Sequence, residues 1–386
     1  MRLLHIGKFY PPAPGGIETF TAILAREQAG AGDAVEVLVH SAARGWHSRR
    51  RQDGAVRVVE AGRPGQLAYA PLSPAFPLQL QRCIAQTRPD LLHIHVPNTS
   101  AFAALLLPAA RRLPWVVHWH ADIPLDSGSR LLRAAYPFYR PWEQALLRRA
   151  DRIIATSGAY RDASQALARW HDKTVVVPLA LGEAETPAPA APLWPAGKRR
   201  VLAVGRLSHY KGFEVLLDSL VALPDLALLL IGGGERETAL RAQVERLGLG
   251  GRVQLAGQVD DACLQQAYAQ AEIFCLPSLD RAEAFGMVLL EAMRAGLPCV
   301  ASAIAGSGVG EVVRHGETGL LVAPGDAAAL GAALARLAED ADLRTRYGEA
   351  GRQRWRTAYR PGAVMAATRQ VYAAALAGRA AAARPG

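Results

Sequence analysis

The chain is short of cysteine, of aromatic residues and of long apolar runs, and these shortages remove whole classes of protein. Its 386 residues include four cysteines, Cys83, Cys263, Cys275 and Cys299, none at Cys-x-x-Cys spacing. That argues against a disulfide-built scaffold and a zinc ribbon; they read as buried thiols in a reducing compartment. The longest apolar stretch, Ala101 to Ala110, is broken by Pro108. It falls far short of the roughly 20 residues a membrane span needs. The opening run, Met1 to Gly7, is too short for a signal peptide and reads as a strand. The expectation is a cytoplasmic protein.

What is present is a plentiful core and a positive balance. Half the chain is apolar, and 44 basic against 34 acidic residues give a formal charge of +10, mostly arginine. Such a charge suits an anionic partner: a nucleotide-sugar, a phospholipid surface or a nucleic acid. No nucleic-acid reading motif accompanies it. The length predicts two domains or more.

Short apolar strands alternate with helical stretches, the signature of parallel α/β sheets. In the first half strands are expected near Leu3–Gly7, Val35–Val39, Val56–Val59, Leu91–His95, Trp115–Trp119, Arg152–Ala155 and Thr174–Val177. Residues 182–197 are rich in Pro, Ala and Gly and read as a linker. The pattern restarts with Arg200–Val204, Ala227–Ile231, Val253–Leu255, Ile273–Leu276 and Pro298–Ala301. Residues 326–358 read as helical, and an Ala-rich helix follows Pro361, fraying at Arg384-Pro385-Gly386. The reading is two doubly wound domains, 1–181 and 198–361. Such sheets bind ligands beyond the carboxyl ends of their strands, and two facing edges would make a cleft.

Several strand ends carry chemistry. Tyr10-Pro11-Pro12-Ala13-Pro14-Gly15-Gly16 runs into a helix near Ile17. Paired glycines allow close backbone approach, and the helix start suits phosphate. The loop is not Gly-x-Gly-x-x-Gly, which disfavours a nicotinamide dinucleotide. In the second half, Gly205-Arg206-Leu207-Ser208-His209-Tyr210-Lys211-Gly212 offers two cations, Arg206 and Lys211, that could clamp a diphosphate. It lacks the Gly-Lys-Ser/Thr ending of a P-loop, which argues against ATP hydrolysis. Gly232-Gly233-Gly234 gives another close approach, and a loop from Ser302 to Gly310 carries three more glycines. Val116-Val117-His118-Trp119-His120-Ala121-Asp122 ends a strand, with His120 nearer its carboxyl end. On the strand before it, His93 reads as core and His95 is left open. No helical ligand spacing supports a metal.

Glu283-Ala-Phe-Gly-Met-Val-Leu-Leu-Glu291 sets two acids about an apolar run that reads as a buried helix start. Burying a carboxylate is costly without a partner, so these acids are expected to meet an incoming polar group, such as a sugar hydroxyl.

These pieces resemble family 4 (group 1) of the retaining glycosyltransferases, which has the GT-B fold. The resemblance is carried by Gly15-Gly16-Ile17-Glu18, His120-Ala121-Asp122-Ile123, Gly205-Arg206 with Lys211-Gly212, Glu283 to Glu291, and Thr318-Gly319-Leu320 before Pro324-Gly325-Asp326. They occur in family order across nearly the whole chain. The resemblance implies two Rossmann-like domains with an interdomain cleft, donor mainly on the second and acceptor mainly on the first. It implies that Arg206 and Lys211 hold the donor diphosphate, and that Glu283 contacts hydroxyls of the transferred sugar. Amides of Phe285, Gly286 and Met287 would lie nearby, and Glu291 would hydrogen-bond the ribose. Gly16, beside Gly15, would approach the donor phosphates, with Gly234 lining the donor edge. His120 would face the sugar near its reacting carbon. The C-terminal helix, about 362–380, would cross back onto the first domain. No metal or other cofactor is expected, the two cations standing in its place. Retention by same-face substitution is expected, since no nucleophile for a covalent route stands out.

The surroundings look most like mannosyltransferases of surface polysaccharide, with GDP-mannose the first donor and UDP-sugars the alternatives. Arg130 to Trp142, preceded by Ser129 and followed by Arg148-Arg149, mixes cations and aromatics as an anionic lipid surface would require. The expected partners are therefore a nucleotide-sugar, a saccharide or polyprenyl-linked acceptor and an anionic membrane face, with no nucleic acid. Two rival readings are a phosphorylase of similar architecture, which would need a pyridoxal-phosphate lysine, and a non-catalytic nucleotide or sugar binder.

Overall fold

Leucine, isoleucine and valine runs buried along their whole length, such as Val37-Leu38-Val39 and Leu226 to Ile231, form the strands of two mainly parallel sheets. Strands covered on both faces need no polar alternation, which is why these segments read as continuous apolar runs. The computed structural model describes residues 1–67, 70–125, 130–184, 187 and 191–382. It forms two compact units, Met1–Ala180 with Pro361–Gly386, and Leu181–Arg360.

The first unit contains β1 (Arg2–Ile6), β2 (Ala34–His40), β3 (Arg49–Asp53), β4 (Val56–Ala61), β5 (Gly65–Leu67), β6 (Ala70–Leu72), β7 (Leu91–Val96), β8 (Trp115–Trp119), β9 (Arg152–Ala155) and β10 (Thr174–Val176). Eight of them make one sheet in the order β10-β9-β8-β7-β1-β2-β4-β3, and β5 pairs with β6 apart from it. All neighbours in the large sheet are parallel except the edge strand β3. The sequence reading did not anticipate β3, because Arg49-Arg50-Arg51-Gln52-Asp53 has no apolar face. It is held to β4 by charge: Arg49 and Arg51 both reach Glu60, the latter at 2.7 Å. The C-terminal helix (Pro361–Ala382) packs in this unit against the first helix (Gly16–Gly30), β8 and β9. Arg369 bonds Asp33 at 2.8 Å there. The expected fraying at Arg384-Pro385-Gly386 falls outside the described residues.

The second unit contains β11 (Arg199–Val204), β12 (Leu226–Ile231), β13 (Val253–Gly257), β14 (Ile273–Leu276), β15 (Cys299–Ser302) and β16 (Gly319–Val322), in the order β13-β12-β11-β14-β15-β16, all parallel. Its core joins Val201, Leu228 and Leu230 to Leu216, Leu217, Leu330 and Leu334. Strand β16 was not anticipated as a strand. Three expectations need correction, and a fourth, the helical stretch 326–358, gains detail. The helix after Glu283 begins at Met287, so Glu283 lies in the preceding loop. The helical stretch 326–358 is two helices, Ala327–Glu339 and Ala341–Arg354, each capped by an aspartate, Asp326 and Asp340. The linker 182–197 lies partly outside the described residues (185, 186 and 188–190), and its end is packed: Trp194 is buried, its indole bonding Val201 O at 3.2 Å. Of the cysteines, Cys263 is only half-buried.

Candidate functional site

Backbone hydrogen bonds stitch together three loops at the carboxyl ends of β11, β12 and β14. Gly205 N donates to Ile231 O at 3.0 Å, Leu207 N to Gly233 O at 3.0 Å and Arg236 N to Leu207 O at 2.9 Å. This closeness explains two glycines. A Cβ on Gly232 would fall 1.9 Å from Gly205 O, and one on Gly234 would fall 2.4 Å from Leu207 O. Gly212, at φ 66, ends the Lys211 loop where a Cβ would strike Pro277 O at 2.1 Å. Leu279 N then donates to Tyr210 O at 2.7 Å, tying that loop to the one after β14.

Lys211 and Glu283 meet where these loops converge. The ammonium lies 2.5 Å from Glu283 Oε2, and both side chains are buried. Ser278 Oγ donates to the same oxygen at 2.9 Å, and Ser307 Oγ donates to the Glu283 carbonyl. The loop after β15, expected at this edge, is thereby fastened to Glu283; Gly308 N adds a bond to Ala284 O at 2.8 Å. Burial pulls the Lys211 pKa down, but Glu283, Tyr210 and Glu291 outweigh it, so the net shift is upward and the lysine stays a cation. An ammonium has three N–H donors, and Glu283 takes one.

The helix Met287–Ala295 starts directly beyond. Its N-cap, Gly286, has φ 83 and no capping side chain. The opening amides of a helix, that of Met287 first here, lack intrahelical acceptors and carry its positive pole. Phe285 is buried edge-on to Tyr359 at 6.1 Å. Glu291, on the same helix, accepts from Tyr268 Oη at 2.7 Å, and burial pushes its carboxyl pKa up. Both acids thus have protein partners, where an incoming group was expected. Arg206 stands apart from this node: it is exposed and pairs with Glu235 at 3.2 Å.

In the first unit, Gly15 caps the first helix at φ 154 with the Glu18 carboxylate against it, and Gly16 opens the helix exposed. His120 follows β8 and is buried, with a pKa lowered by burial to about 3. His93 and His95 are both buried, and His5, which the sequence reading did not single out, joins them. Also missed were Ser278, Ser307 and Tyr268, isolated polar residues without a pattern. Glu143 was missed too. It is buried within an arginine- and aromatic-rich helix, and burial pushes its carboxyl up to about 7.

The two halves of the chain match two family models, Glycosyl transferase 4-like domain over residues 15–180 and Glycosyl transferases group 1 over residues 186–354. The phosphatidyl-myo-inositol mannosyltransferase of Mycobacterium leprae is 32% identical over 365 residues, 91% of each chain. The O-antigen chain mannosyltransferase C of Escherichia coli is 30% identical over 363 residues, covering 92% of this chain and 93% of its own. Among solved structures, sucrose-phosphate synthase from Thermosynechococcus elongatus superposes with a TM-score of 0.82 at 26% identity, covering 98% of this chain and 99% of that one.

Proposed function

The chain belongs to the group 1 glycosyltransferases and shares their GT-B fold, and from that premise we propose that it moves a hexose, mannose first among the candidates, from a nucleotide diphosphate sugar to a lipid-linked or saccharide acceptor with retention of configuration. The observation that carries the donor assignment is the buried Lys211–Glu283 pair just ahead of an uncapped helix start. A diphosphate beside Lys211 would draw on its remaining N–H donors, and charge-assisted bonds to phosphate oxygens are the strong ones. As the sugar–phosphate bond breaks, negative charge grows on the leaving phosphate. A cation already in place stabilises that charge without reorganisation.

In this reading Arg206 swings from Glu235 to the same diphosphate, Glu283 accepts from a hydroxyl of the transferred sugar, and Glu291 accepts from the ribose. The amides at Phe285, Gly286 and Met287 donate to donor oxygens, and Gly234 leaves the backbone open beside them. From the first unit His120 faces the saccharide, and Gly16, beside Gly15, approaches the donor phosphates. The acceptor hydroxyl attacks the face the phosphate leaves, and the phosphate takes its proton. The cations fill the place of a metal.

The test is transfer of labelled sugar from a panel of nucleotide-sugars to lipid-linked acceptors, with the product anomer read by NMR. Retention from one donor is expected. Lys211→Ala should slow transfer about 100-fold or more, from the loss of roughly 3 kcal/mol of charge stabilisation. Near-normal turnover in that variant, or an inverted anomer, would overturn the assignment.

A further inference from the structure

Five imidazoles share one face of the first unit's sheet. His5 is on β1, His93 and His95 on β7, His118 on β8, and His120 just beyond it. The parallel register sets His5 beside His93 and His95 beside His118, and residues two apart on a strand point the same way. All five are buried. His93 stacks on His95 at 4.4 Å and 6°, and His118 on His120 at 4.2 Å and 4°.

A metal ion is the first occupant to weigh, because His5, His93 and His95, and His95, His118 and His120, each bring three ring nitrogens within 4.8 Å. Each trio contains one of those face-stacked pairs. An imidazole lone pair lies in its ring plane, so two parallel stacked rings aim at different points and cannot converge on one tetrahedral ion. The nitrogens bond one another instead.

They form two files that start from one amide. In the first, Gln28 Oε1 is 2.8 Å from His5 Nε2, His5 Nδ1 is 3.1 Å from His95 Nε2, and His95 Nδ1 is 3.0 Å from His120 Nε2. In the second, Gln28 Nε2 donates to Tyr372 Oη at 2.9 Å, that hydroxyl meets His93 Nδ1, and His93 Nε2 is 3.2 Å from His118 Nδ1. Burial lowers all five pKa values, to about 4 for His5 and about 3 for His120, so every ring is neutral near pH 7.

A neutral imidazole has one N–H and one acceptor nitrogen, so each file has a direction. The Gln28 carbonyl only accepts, so His5 carries its proton on Nε2. Its Nδ1 must then accept, which puts the His95 proton on Nε2, and the same step puts the His120 proton on Nε2. In the second file Tyr372 accepts from Gln28 and donates to His93 Nδ1, so His93 and His118 also carry Nε2–H. The files end at His120 Nδ1 and His118 Nε2, two buried nitrogens without a hydrogen-bond partner among the described residues. One is a bare lone pair and the other an N–H. Turning over the one Gln28 amide would exchange these roles in both files together.

We propose that Gln28 and Tyr372 are positioning residues for the transferase: through the two imidazole files they fix His120 as a hydrogen-bond acceptor and His118 as a donor, so that His120 Nδ1 receives a saccharide hydroxyl. This rests on the assignment of His120 to the sugar made above. Both residues act through the rings, and Tyr372 does so from the C-terminal helix, some 250 residues further along the chain than His120.

Selective 15N-histidine labelling with long-range 1H–15N correlation spectra reads each ring's tautomer without any substrate. In the wild-type protein all five rings should be neutral with the proton on Nε2. Tyr372→Phe should scramble only His93 and His118, whereas Gln28→Met should release both files. With the released files, kcat should fall two- to tenfold while the donor KM holds within a factor of two, a split that simple destabilisation would not give. Mixed tautomers in the wild-type rings, or a single Nε2–H signature surviving Gln28→Met, would overturn the proposal. Should Gln28→Met not fold, a second file unchanged in Tyr372→Phe overturns it equally. A wild-type protein with locked rings that transfers no sugar from any donor would instead defeat the transferase assignment of His120.

Discussion

The burial of single acids differs sharply across this molecule. Glu283 has a lysine within 2.5 Å, whereas buried Glu143 has the Tyr136 hydroxyl at 3.1 Å, help from Gln144 and Arg140, and the like charge of Asp122 against it. Its pKa is pushed to about 7, first by burial and then by Asp122, against the bond from Tyr136. A raised carboxyl pKa means that between about 4.5 and 7 the folded protein holds a proton that the unfolded chain has lost. Stability therefore falls as pH rises through that window, by up to about 3 kcal/mol at pH 8. Glu143→Gln should remove this cost, so the variant should be the more stable one in denaturant titrations at pH 8. The difference should shrink as pH falls toward 4.5; equal stability at pH 8 would contradict the shift. None of this was legible in sequence, where Glu143 is one acid in a helix of arginines. Lys211 and Glu283 were both legible as chemical residues, one by its loop and one by its spacing to Glu291. Their partnership was not, because 72 positions separate them and only the fold brings their loops together.

Among elements, most short buried apolar runs were read as strands, with β16 the exception, and the charge-held edge strand β3 was not. β8 and β9 were placed to the residue because both are short apolar runs, while β3 escaped because arginines on Glu60 hold it. The helix Arg130–Arg149 sits between these cases. Leu131, Phe138 and Trp142 are 55%, 80% and 43% exposed, beside Arg130, Arg133 and Arg140; Ser129, with which this stretch was expected to begin, lies outside the described residues. Exposed large apolar groups flanked by cations fit a helix lying on anionic headgroups. Flotation with vesicles of phosphatidylglycerol at low salt should carry the protein upward, and Phe138→Ser with Trp142→Ser should release it. A wild-type protein that stays at the bottom of the gradient would remove the membrane from the account.

At the scale of the whole chain, its two units are expected to differ in their sensitivity to acid. His5, His40, His93, His95, His118 and His120 are all buried in the first unit with pKa values lowered chiefly by burial, to about 4 for His5 and His40. The second unit's His209 and His315 are exposed. A lowered histidine pKa means that below about 6.5 the unfolded chain binds protons the folded one refuses, so stability is lost as pH falls. At pH 5 each ring costs about 2 kcal/mol, and several together rival the whole stability of a domain. Hydrogen exchange at pH 5 should find the first unit unprotected and β11, β12 and β14 still protected. Uniform protection, or loss in the second unit first, would contradict this. The two-sheet architecture was legible from strand spacing, and the order of the family motifs pointed to its fold class. The histidine assembly was not legible, because it joins four separate segments and the C-terminal helix. No helix among the described residues is long and apolar enough to cross a membrane.

The central claim is that an activated sugar binds at the Lys211–Glu283 node, and a thermal-shift series across nucleotide-sugars tests it most directly. At one hundred times its Kd the true donor should stabilise the fold by about 2.7 kcal/mol, raising Tm by roughly 5–10 °C in the unit that binds it, and Lys211→Ala should abolish the rise. A panel of GDP-, UDP- and ADP-sugars that leaves the wild-type Tm unmoved, or one that shifts the wild-type protein and Lys211→Ala alike, would contradict it.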